Sequence, residues 1–191
     1  KKEALIGVEY EVEKKERTAD DIAQRMIYPE NEKKNQSQEK EKDAQPQNKK
    51  YIASIEKSKR EVMRVFYERI QYKDFTIIPL LCLIDGAKSL INAFKEEFKS
   101  ISNKVMILDI IHVIEYIWLI AHIKYKEGSK ESRAYVYEKL LLIIKSNVCV
   151  YIKELEDELH HQRKKCQKTV YQKVITYFKN HHMYMHYYGY L

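Results

Sequence analysis

Twice in this chain a short apolar run closes on an aspartate and passes at once into a helical pattern, and that succession limits the fold more than any other feature. Thr76 to Ile84 is a continuous apolar run ending in Asp85-Gly86-Ala87, and Val105-Met106-Ile107-Leu108 ends in Asp109. Apolar residues then recur at helical spacing, through Leu90, Ile91, Phe94 and Phe98 after the first run and from His112 to Tyr125 after the second. Runs so short and so uniformly apolar are what buried central strands look like. Strands alternating with helices predict a parallel sheet with helices packed on it. Pro79 cannot donate to a ladder and marks the start of the first of these strands.

The flanking segments fit an α/β chain. Leu5 to Glu13 alternates, with Ile6, Val8, Tyr10 and Val12 on one side, as a half-buried strand does. Thr18 reads as the cap of a short helix, with Asp20 and Asp21 in its first turn, running to Ile27 before Pro29. From Glu30 to Lys50 the only hydrophobe is Ala44, so nothing offsets the entropy of ordering, and a disordered polar loop is expected. Ile52, Ile55, Val62, Val65, Phe66 and Ile70 suggest a helix over Tyr51 to Ile70. Beyond Gly128 the pattern is helical to the end, over Tyr135 to Ile144, Val148 to Leu159 and Thr169 to His181. The expected organisation is a strand and short helix over 1–29, the polar loop over 30–50, the main α/β core over 51–127 and an all-helical, basic C-terminal segment over 128–191.

Several classes are excluded. Val105 to Ile123 has the length of a membrane span, but Asp109, His112, Glu115 and His122 interrupt it, so no membrane partner is expected. Glycine stands only at positions 7, 86, 128 and 189, which rules out a Gly-rich phosphate loop. The three cysteines, Cys82, Cys149 and Cys166, are odd in number and widely spaced, and no secretory signal is visible, so a reducing, cytoplasmic location is expected. Each cysteine is read as lying in an apolar or helical setting away from any helix N-terminus, which argues against a thiol nucleophile.

The net charge of +7 is unevenly spread. From His160 to Leu191 six basic residues (Arg163, Lys164, Lys165, Lys168, Lys173, Lys179) stand without a single acid, so a polyanion should prefer this end. An exposed basic helix without a ligand explains the same run. Tyr184, Tyr187, Tyr188 and Tyr190 could stack on bases, though packing in the core or a sticky chain end is the favoured reading. Among residues able to do chemistry, Asp85 stands where open α/β folds place their ligands, at the carboxyl edge of a strand, and can hold a divalent cation. Capping the helix that begins near Ala87 is an alternative role for it. Asp109 repeats the arrangement, and His112 and Glu115, three apart, share a helix face on which they can hydrogen-bond or hold a metal together.

In order, Lys2-Glu3-Ala4-Leu5-Ile6-Gly7-Val8, Arg17-Thr18, Leu83-Ile84-Asp85-Gly86-Ala87, Ile107-Leu108-Asp109-Ile110-Ile111-His112-Val113-Ile114-Glu115-Tyr116-Ile117-Trp118, and Tyr177-Phe178-Lys179-Asn180-His181 with Met185 and Tyr187 resemble the ISKra-type insertion-sequence transposases. The resemblance spans almost the whole chain. It implies an incomplete RNase H-like α/β core with a few, mainly parallel, central strands, followed by the long helical segment. It also implies metal-dependent cleavage and transfer of DNA strands by two Mg²⁺ ions held by an Asp, Asp, Glu triad, with Asp85 as the second Asp and a metal ligand. Asp109, His112 and Glu115 then fall in the accessory set, Arg163, Lys164, Lys165 and Lys168 on the DNA-binding surface, and the partners are transposon-end DNA and a second copy of the chain. The first Asp of the family lies before the Lys2 stretch and the Glu after the Tyr187 region. The expectation is thus an internal piece of a transposase, inactive alone; a non-catalytic DNA-binding or assembly module is the alternative, and a remnant that binds nothing the third reading.

Overall fold

The computed structural model describes residues 5–11, 17–29, 47–54, 56–77 and 79–190. The chain is α/β and mostly helical, with one two-stranded parallel sheet and one antiparallel strand pair among the described residues. Its elements are β1 (Leu5–Glu11), α1 (Ala19–Ile27), β2 (Gln47–Ser54), α2 (Lys59–Ile70), β3 (Leu80–Ile84), α3 (Lys88–Glu97), β4 (Lys104–Leu108), α4 (Ile110–Lys124), α5 (Lys130–Ile144), α6 (Val148–His161) and α7 (Lys165–His181), followed by single 3-10 turns at His182–Tyr184 and Tyr187–Tyr190. They fall into two compact units. One holds β1, β2, α2, β3, α3 and β4 as far as Met106; the other holds α1 and everything from Ile107 onward.

In the first unit β1 pairs antiparallel with β2, Leu5 opposite Ser54 and Val8 opposite Tyr51, with the register shifting between Glu9 and Glu11. This corrects two expectations. Residues 47–50 were assigned to the polar loop and 51–54 to a helix, yet together they form β2, because the ladder to β1 satisfies a backbone that its own side chains would not order. The helix starts later, at Lys59, where Ser58 and Glu61 form a reciprocal capping box: the Glu61 amide donates to Ser58 Oγ at 3.3 Å and the Ser58 amide to Glu61 Oε2 at 2.7 Å. The remainder of the expected loop, 30–46, lies outside the described residues.

β3 and β4 form the parallel pair, with Leu80 N donating to Asn103 O at 3.0 Å. Pro79 precedes the first strand residue, as its missing N–H requires. One face of the pair is covered: Leu80, Cys82 and Met106 pack on the cluster of Ile70, Phe94, Phe98 and Ile101, where Phe94 and Phe98 stack at 4.6 Å between centroids. The other face of β3 is open, with Leu81 49% and Leu83 63% exposed. The expected buried central strand is therefore an edge strand among the described residues, since no strand pairs with its second side. Arg60 ties α2 to α3 through Glu97 at 2.6 Å and Glu96 at 3.1 Å.

The second unit is helical, and α5 is its hub, packing against α1, α4 and α6, while α7 packs against α4 and α6. Its core, including Ile117, Ile120, Val136, Leu140, Ile143, Tyr151, Leu155, Tyr171 and Phe178, is wholly or almost wholly shielded from solvent. Four helices also meet around Tyr135. Its hydroxyl lies 3.3 Å from that of Tyr151, Lys124 and Lys139 stand over its ring, and Glu158 accepts from Lys124 at 2.5 Å and from Tyr171 at 2.9 Å. Every ionised group in this knot has an opposite partner, which is what makes its partial burial tolerable. α1 joins the unit through Asp20, which accepts a short hydrogen bond from the Tyr137 hydroxyl and pushes that phenol up to about 12. Thr18 caps α1 with Asp21 as its reciprocal partner. The last of the three expected helical stretches ends at His181, as its periodicity indicates, and two 3-10 turns follow it.

Candidate functional site

Asp85 follows the last residue of β3 directly and is exposed. Its Oδ1 accepts from the Ala87 amide at 2.8 Å, closing a tight turn over Gly86, whose φ of +89° explains why glycine stands there. The cap position of α3 belongs to Ala87, which offers no side-chain acceptor. Asp85 is therefore a turn former one step ahead of the helix rather than its cap. Its second carboxylate oxygen makes no hydrogen bond or ion pair with the described residues.

Asp109 follows β4 in the same way, but its role differs. It is the N-cap of α4, with Oδ1 accepting from the Ile111 amide at 3.0 Å. One turn on, His112 Nδ1 and Glu115 Oε2 lie 3.1 Å apart, half-exposed and exposed respectively, so the expected shared face is real and its two members engage each other. The last carbonyl of β4, that of Leu108, accepts from the buried Tyr187 hydroxyl at 2.8 Å. Burial first, then Tyr177 and the Asp109 carboxylate, hold that phenol far above its ordinary range, so it acts as a donor at any working pH. Composition and spacing do not separate Tyr187 from its neighbouring tyrosines, though the family resemblance includes it; the contact with the strand end follows from the chain's return there.

A Mg²⁺ ion takes near-octahedral oxygen ligands, and a two-metal site needs several carboxylates at one spot. Among the described residues no group of three His, Cys, Asp or Glu side chains is placed to hold a metal. Asp85 supplies one free carboxylate oxygen, which is a ligand but not a site, so the described residues do not by themselves fit two Mg²⁺ ions. His181 and His182 direct Nδ1 at the carbonyls of Tyr177 and Lys179, both at 2.8 Å.

The cationic candidates gather at the start of α7. Arg163, Lys164, Lys165 and Lys168 are all exposed and make no ion pair among the described residues. Lys124, Lys139 and Lys179 do have acidic partners: Glu158, Glu154 and Glu156. Lys164 occupies the cap position of the 17-residue α7 and provides no side-chain acceptor, so the open amides of the first turn add to the local positive potential. Lys173 is exposed, but its amine stands 5.4 Å above the Tyr116 ring, which stacks on Tyr177 at 3.6 Å and 7°. The expectation that no cysteine lies at a helix N-terminus is corrected: Cys149 and Cys166 each occupy the second residue of a helix, α6 and α7, and are exposed. Cys82 alone is packed, and burial pushes its thiol up to about 12.

No described helix is long and apolar enough to cross a membrane. No family model matches the chain, and it matches neither a curated protein nor a solved structure.

Proposed function

We propose that this chain is part of a DNA transposase with an RNase H-like core, whose longer parent cleaves and transfers DNA strands with Mg²⁺. The observation that carries the reading is the pair of strand–Asp–helix units: Asp85 and Asp109 each stand at the carboxyl end of a strand of one parallel pair. Carboxylates so placed are what α/β enzymes use to bring metal and phosphate to a sheet edge. Asp85, exposed and with an oxygen to spare, is the catalytic metal ligand of this proposal. Asp109, which caps α4, and the His112–Glu115 pair are the accessory groups of this proposal. The proposal takes the remaining carboxylates of the set from outside the described residues. The test is plasmid cleavage in Mg²⁺ by the protein of the complete reading frame. Asp85→Asn is expected to lower the rate at least about a hundredfold, since a two-metal site loses a ligand; a rate within twofold of the unsubstituted protein would refute the assignment.

A second reading, a non-catalytic DNA-binding or assembly module in which copies of the chain meet on DNA, is favoured by the exposed cations at the start of α7, which make no ion pair among the described residues. If Arg163, Lys164 and Lys165 each neutralise a phosphate, replacing all three with Gln lowers the slope of log affinity against log salt by about 2.7. An unchanged slope would remove this end of the chain from any DNA interface.

A further inference from the structure

Within the helical unit, the chain's last described turn comes back to the point where β4 becomes α4. Tyr184, Met185 and Tyr187 are buried there, and the turn at Tyr187–Tyr190 packs on α5. The Tyr187 hydroxyl donates to the Leu108 carbonyl at 2.8 Å, across 79 residues of sequence. The identity of that acceptor matters. In a parallel pair, alternate residues direct both backbone groups to the same side. Because Asn103 O faces β3, accepting from Leu80, the carbonyl of Leu108 faces the opposite, outer edge of β4. The phenol therefore meets a buried backbone acceptor that no strand meets among the described residues, immediately before the residue that caps α4. The same turn is closed by the Val113 amide, which donates to Asp109 O at 3.4 Å, and by the Ile111 amide, which donates to Asp109 Oδ1 at 3.0 Å.

We propose that the C-terminal turn is a latch on the Asp109 turn, and that Tyr187 is a positioning residue which fixes, through the Leu108 carbonyl, the direction in which Asp109 and His112 are presented. The latch rests on the transposase reading only in treating that turn as functional; its geometry does not. A merely structural tyrosine would lower the stability of the whole unit when altered, whereas a latch releases one turn.

The experiment is amide hydrogen exchange on the chain with and without Tyr187→Phe, a change that keeps the ring and removes one hydrogen bond. Exchange at Ile111, His112 and Val113 is expected to rise by roughly three- to tenfold, the worth of one buried hydrogen bond, with Tyr151, Ile152 and Leu155 in α6 unchanged. Tyr188→Phe, at an exposed neighbour, leaves all of these as they were. A uniform rise across α4 and α6, or no rise at 111–113, overturns the proposal. Should the Phe variant not fold, native-state exchange of the unsubstituted chain in graded denaturant decides the matter: the amides of Met185 and of 111–113 must open in one step, and separate openings overturn it. Neither DNA nor metal enters the measurement, so its failure is distinct from failure of the cleavage or binding tests.

Discussion

Asp109 does a structural job that can be separated from any chemical one. Its Oδ1 accepts from the Ile111 amide at 3.0 Å, and the first turn of α4 contains no other acid to complement the helix dipole. Losing such a cap costs about 1 kcal/mol and losing the negative charge roughly 0.5 kcal/mol more, so Asp109→Ala should destabilise the helical unit by about 1.5 kcal/mol. Asp109→Asn keeps an equally good cap and gives up only the charge, for about 0.5 kcal/mol. Urea unfolding followed by fluorescence reads both, because Trp118, the chain's one tryptophan, lies within α4. If the Asn variant is as unstable as the Ala variant, the cap argument is wrong and the charge dominates. If both match the unsubstituted protein, the Ile111 hydrogen bond contributes nothing. When the predicted order is found, the Asn variant becomes the right reagent for asking whether Asp109 also serves DNA chemistry, since any loss it shows is not a loss of fold.

Three further outcomes are expected. A thiol reagent should react at once with two groups, exposed Cys149 and Cys166, and with Cys82 only on unfolding; three fast thiols would mean that Cys82 is not packed on the Phe94–Phe98 cluster. Leu81→Lys with Leu83→Lys should reduce light scattering while changing stability by less than about 0.5 kcal/mol, because both side chains stand on the open face of an edge strand; a large loss of stability would show that this face is covered. Hydrogen bonds from Ser58 hold Glu61, and from Thr18 hold Asp21, below their ordinary values of 4.5 and 3.8. Their contribution is complete above those values and fades as the pH falls through the depressed folded ones, so Ser58→Ala should lower the melting temperature near pH 6 and matter progressively less in stronger acid. A deficit that grows on acidification would reverse the sign of this argument.

The parts of the fold legible in the sequence are those set by local chemistry. Thr18 announces α1, Pro79 the start of β3, and the apolar runs before Asp85 and Asp109 the parallel pair with the helices that follow. β2 was illegible because Gln47-Asn48-Lys49-Lys50 has no apolar alternation and is a strand only by virtue of its partner β1. The late start of α2 had a signal that periodicity obscured, the Ser58-x-x-Glu61 capping box. Whether β3 is central or at an edge depends on what pairs with its second side, which no feature of Leu80 to Ile84 records. At the candidate site, Asp85 and Asp109 look alike in sequence, each closing a strand before a helix. Only the backbone separates them, since φ at Gly86 moves the cap of α3 to Ala87, whereas Asp109 is itself the cap of α4; each engages one carboxylate oxygen, Asp85 with the Ala87 amide and Asp109 with that of Ile111. The cations of α7 were visible by composition, but that Lys173 and Lys179 turn to Tyr116 and Glu156 while Arg163 to Lys168 stay unpaired follows from packing.

The central claim, that Asp85 belongs to a set of carboxylates completed elsewhere in a longer transposase, is tested most directly by the DNA on either side of this reading frame. The account predicts coding sequence for a strand ending in Asp upstream, for a Glu-bearing helix downstream, and inverted repeats enclosing both. Flanks that encode no such strand or helix and contain no repeats would contradict it, and only the binding reading of α7 would then remain to be measured.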